Sequence, residues 1–152
     1  MTLMLALWLT QAVVSVPAYS PPGALPPPAD TGRLSVVVAT TVSETDPQAL
    51  CDRPNCTSLF LGRYRDARTL AGPPVDPEFS ARVEMGSPWN MSYRLVLIVE
   101  ERPDQERLVR AMAGFNQRTG QACFERREIA ALDWTPEGAG LSRTNGTLCV
   151  TE

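Results

Sequence analysis

A two-residue period governs most of this chain, and it constrains the fold more than any other feature. From Glu78 to Met85 the pattern is strict. Phe79, Ala81, Val83 and Met85 fall on one side, and Glu78, Ser80, Arg82 and Glu84 on the other, as in a strand with one buried face. Leu34, Val36, Val38, Thr40 and Val42 repeat the period in a β-branched run. Thr57 to Asp66 reads as another strand, with Phe60 and Tyr64 on one face and Leu59 and Leu61 on the other. Tyr93 to Glu100 is apolar at consecutive positions through Leu95, Val96, Leu97, Ile98 and Val99, the pattern of a strand covered on both sides. It is read as the antiparallel neighbour of the strand ending at Met85.

Later segments carry weaker signals. Pro103 to Phe115 fits a helix capped by Asp104 or a strand. The turn Asn116–Gly120 favours a β-hairpin whose second arm holds Cys123. Asn145-Gly146 marks a last turn before a short strand from Thr147 to Val150, and Ile129 to Leu141 has no clear period. These elements predict a mainly β domain, a small antiparallel barrel or sandwich with at most one short helix. A five-stranded Greek-key barrel of the OB kind suits the order of elements as an architectural analogy, since no sequence motif defines it.

The N-terminus reads as an export signal. An uncharged apolar run from Leu3 to Val16 ends at Val16-Pro17-Ala18, a spacing that signal peptidase accepts, although no Lys or Arg precedes it. The expected organisation is a signal peptide over 1–18, a Pro-rich disordered spacer over 19–32, and one domain over 33–152. The expected location is periplasmic or secreted, with no stable membrane insertion after signal cleavage.

Composition excludes whole classes of chemistry. All fourteen basic residues are arginine, with no lysine and no histidine. Imidazole bases, Ser-His-Asp and Cys-His arrangements, histidine metal ligands, lysine Schiff bases and Ser-Lys dyads are therefore ruled out. The net charge of −3 argues against bulk nucleic-acid binding. An Arg-only, Ala- and Pro-rich chain resembles the product of a GC-rich bacterial genome, and no cofactor is implied.

Cys51, Cys56, Cys123 and Cys149 form an even set in a chain read as exported, which predicts two disulfides. Of three possible connectivities, Cys51 with Cys56 and Cys123 with Cys149 is favoured. Only one close pair exists, which disfavours zinc. The four residues between Cys51 and Cys56, Pro54 among them, do not resemble a redox Cys-x-x-Cys.

Candidate recognition residues are Arg63, Arg65 and Arg68 around Tyr64, with Arg63 and Arg65 on one strand face, and Trp89 with Tyr93 in and beside a Pro-containing loop. The competing readings are a charged strand edge that deters aggregation and a tryptophan folded over its own barrel. Carboxylates at Glu44, Asp46 and Asp52, or at Glu100 and Glu101, could serve a glycoside hydrolase. Three Asn-x-Ser/Thr sequons, at Asn55, Asn90 and Asn145, are set aside as coincidence on the bacterial composition, with Asn90 and Asn145 explained as turn residues. The leading expectation is an exported, non-catalytic interaction module of the bacterial envelope that binds a protein or cell-surface partner. A carboxylate-dependent hydrolase of an envelope glycan and a purely structural envelope protein are the alternatives.

Overall fold

A computed structural model describes residues 30–49, 58–85 and 91–151. The signal, most of the spacer, Cys51, Cys56, Trp89 and Asn90 lie outside the described residues. Asp30 opens the fold by accepting a hydrogen bond from the Gly32 amide at 2.8 Å, which caps a short 3-10 turn over Thr31–Arg33.

Five strands then close into a barrel: β1 (Leu34–Ala49), β2 (Ser58–Ala71), β3 (Phe79–Met85), β4 (Arg94–Glu101) and β5 (Arg107–Gly114). β1, β2 and β3 form an antiparallel meander, and β4 returns to lie beside β1, which is the Greek-key order. β5 folds back from β4 and closes the ring against β3 in a short parallel contact, Arg82 opposite Leu108 and Val83 opposite Val109. Of the barrel or sandwich expected from the sequence the structure is a small barrel, with one parallel seam among its antiparallel pairings. β3 and β4 are not neighbours, contrary to the sequence reading. The β4–β5 hairpin places β5 between them.

Two cores explain why β1 and β4 are apolar at successive positions. Val37, Ala39, Phe60, Tyr64, Phe79, Ala81, Val83, Leu95, Leu97, Val99 and Val109 come from all five strands and meet inside the barrel. The alternate residues Leu34, Val36, Val38, Val96, Ile98, Ala111 and Ala113 point outward and are covered by Ala122, Phe124, Ile129, Leu132, Leu148 and Val150. That cover is a second sheet, β6 (Gln121–Cys123), β7 (Leu141–Thr144) and β8 (Thr147–Thr151) in the order β6-β8-β7, with the short helix α1 (Arg126–Ala130).

The ambiguous segment 103–115 resolves as β5, but its expected hairpin is only a single bridge between Asn116 and Gln121. Both edges of β5 are taken by β3 and β4, so β6 pairs with β8 instead. Cys123 and Cys149 face each other in that pairing and are disulfide-bonded, as favoured from the sequence. The aperiodic stretch after Ile129 holds the end of α1 and buries Ile129 and Leu132 through local helical turns.

Gly62 is fixed by its neighbour inside the barrel. A Cβ there would stand 2.8 Å from the Tyr64 hydroxyl and 3.1 Å from its ring carbons. The ring cannot retreat, because it stacks on Phe79 with centroids 4.8 Å apart. Gly62→Ala is therefore expected to cost about 1–3 kcal/mol in urea denaturation, as overpacking of a filled core does.

Candidate interaction surface

β2 carries its arginines outward because of the register it keeps with β1. Arg63 and Arg65 flank inward-facing Tyr64, with Arg63 opposite Ser43 and Arg65 opposite Thr40. Arg68 has the other parity, yet it lies opposite outward-facing Val38. A bulge makes the difference: the register shifts between Val38 and Thr40, and Asp66 takes a φ of +52°. Directly opposed residues share a sheet face, so all three arginines project from the outside of β2 and all three are exposed. Arg94 of β4 reaches across β1, donating from Nη1 to the Asp66 carbonyl at 3.1 Å and to Thr40 Oγ1 at 3.4 Å, and so braces the bulge.

The large apolar side chains exposed among the described residues are Val42, Met91 and Tyr93, at 51%, 62% and 37% of full exposure. The Thr41 amide donates to the Tyr93 carbonyl at 2.8 Å, and the Tyr93 amide donates to Thr41 Oγ1 at 2.7 Å. These bonds tie the backbone of Tyr93 to Thr41, the residue before Val42. Beside Val42 lies a groove of about 360 Å³ lined by Arg63, Arg65, Glu78 and Ser80, with the buried Tyr64–Phe79 pair beneath. The groove thus unites Val42 with Arg63 and Arg65, Tyr93 is tied to β1 at the adjacent Thr41, and Arg68 lies further along the same strand face.

Burial pushes the Tyr64 phenol above its ordinary value of 10.0, and the negative charge of Glu44 adds to the shift. The folded state therefore holds this proton while the unfolded chain releases it. Stability from this group is complete below pH 10 and falls as pH rises beyond it, by up to about 1.4 kcal/mol per unit. Urea denaturation between pH 9 and 11 checks this, and the part of the slope belonging to Tyr64 should vanish in Tyr64→Phe, which keeps the ring.

The carboxylate reading fares differently at its two places. Glu100 is buried on the outer face of β4 and accepts a hydrogen bond from Arg110 Nε at 2.6 Å, while Glu101, next along the strand, faces Arg107. Consecutive strand residues point to opposite faces, so these two do not converge on one cleft. The side chains of Asp46 and Asp52 lie outside the described residues. Among the described residues no cluster of His, Cys, Asp or Glu has a metal-binding arrangement, and no helix is long and apolar enough to cross a membrane.

Comparison with protein-family models, curated proteins and solved structures finds no match to this chain.

Sequence reasoning missed Val42, which it placed on a strand face without asking what covers it, and Arg94. The bulge had a faint signal, since Asp is a poor strand former and Asp66 interrupts β2.

Proposed function

We propose that this protein is an exported, non-catalytic interaction module that binds its partner through the β1–β2–β3 surface and the adjoining Met91–Tyr93 segment. The observation that carries the reading is the groove in which exposed Val42 stands with the outward Arg63 and Arg65 of β2, next to the point where Tyr93 is tied to β1. Exposed apolar area rimmed by charge is the composition of a recognition surface. A purely structural component would have no use for such exposure. The fitting occupant is a protein segment with an apolar side chain flanked by carboxylates, because arginine forks pair with carboxylates in two-bond geometry.

A benzophenone amino acid at position 42 tests this in the producing cells, with one at position 118, in an exposed turn of the chain, as the control. The expected result is one discrete adduct from position 42, absent from position 118 and lost when Arg63→Glu and Arg65→Glu are combined with the probe. Equal adducts from both positions, or an adduct that ignores the charge reversal, would overturn the assignment.

A further inference from the structure

Three of the four asparagines, Asn55, Asn90 and Asn145, begin Asn-x-Ser/Thr sequons with no proline at the middle position. Ser and Thr make up 22 of the 152 residues. At that frequency three sequons from four asparagines arise by chance in about 1% of sequences, which is poor support for coincidence. The fourth asparagine, Asn116, is held by its own turn, where its side-chain carbonyl accepts from the amides of Arg118 at 2.9 Å and Thr119 at 3.3 Å.

Turn chemistry explains only part of the sequon at Asn145. Asn145 and Gly146, with φ of +52° and +81°, form the tight β7–β8 hairpin turn, and Asn-Gly is the pair that tolerates it. The turn makes no demand on residue 147. Thr147 begins β8 opposite Thr144, where any strand former would serve, yet the sequon needs a hydroxyl there. Asn145 is exposed at the hairpin tip, and the Cys123–Cys149 bridge nearby is of the kind that forms in an oxidising secretory compartment.

We infer that Asn145 is an N-glycan acceptor. Its carboxamide nitrogen attacks the anomeric carbon of the N-acetylglucosamine that ends a lipid-diphosphate-linked oligosaccharide. The new bond is C–N, the anomeric C–O bond to the diphosphate breaks, lipid diphosphate departs, and one amide proton passes to a base of the transferase. The Thr147 hydroxyl is the element the transferase recognises. The modification places the chain in a pathway equipped with such a transferase and displaces the bacterial reading, because an Arg-, Ala- and Pro-rich composition reports base content and not compartment. The tip belongs to the second sheet, so this inference stands or falls apart from the interaction surface.

The test uses protein from its native source. Reduction and trypsin cleavage after Arg143 release Thr144–Glu152, in which Asn145 is the sole asparagine. Enzymatic glycan removal in heavy-oxygen water should convert Asn145 to labelled aspartate in that peptide. Recovery of the peptide with unmodified asparagine overturns the inference. In a eukaryotic secretory host, Thr147→Val should lose one glycan step on a gel while keeping the Asn-Gly turn and the disulfide, and Thr147→Ser should retain it. An unchanged glycan count in Thr147→Val would also overturn it.

Discussion

Replacing Arg110 with methionine should lower the unfolding free energy by about 3–5 kcal/mol, although the residue is no part of the proposed interaction surface. The β4–β5 register passes from Ile98–Ala111 to Val99–Val109, so Arg110 is skipped in the ladder. Its guanidinium instead reaches Glu100, and both side chains are only 6% exposed. Glu100 lies opposite Leu34 on one side and Leu108 on the other, both fully packed. Removing the arginine strands a carboxylate among those leucines. Replacing both residues, Glu100→Leu with Arg110→Met, removes the stranded charge and should return stability to within about 2 kcal/mol of the parent. Urea titrations of the two singles and the double give the coupling energy directly. A single-variant loss under about 1 kcal/mol would show that water reaches the pair and screens it as it does a surface bridge.

What could be read in the sequence was local, and what could not be read was long-range. Phe79, Ala81, Val83 and Met85 announced a strand with one buried face and they line the barrel interior. The unbroken run Leu95–Val99 announced burial on both sides, and its residues divide between the two cores. No local pattern could announce that β5 would come between β3 and β4, because the β3–β5 contact is only two residue pairs long. The candidate surface divides in the same way. Arg63 and Arg65 share a face by parity, but Arg68 joins them only through the bulge at Asp66. Tyr93 is tied to β1 by a bond to Thr41, 52 positions away in the chain. Val42 is exposed although it continues the β-branched run whose Val36 and Val38 are covered by the second sheet, and the run itself gives no hint of the difference.

The disulfide should matter nearly as much as the buried ion pair, and in a more local way. Loop-closure entropy for the 26-residue separation of Cys123 and Cys149 predicts that Cys123→Ser with Cys149→Ser costs about 3.5 kcal/mol. β6 has three residues and β8 as its one ladder partner, so little else fixes it in place. Ala122 of β6 and Phe124 just after it, with Leu148 and Val150 of β8, cover Val36, Val38, Val96 and Ile98 of the barrel wall. Loss of the bridge should therefore loosen this cover first. The barrel interior is a separate cluster built from the five barrel strands alone, and it should hold. Hydrogen exchange on the double serine variant is expected to show amides of β6 and β8 exchanging well before those of β3 and β4. Faster exchange spread evenly over both sheets would mean that the two cores unfold as one unit. A stability loss under about 1 kcal/mol would mean that Phe124 and Ile129, and not the bridge, hold the cover down.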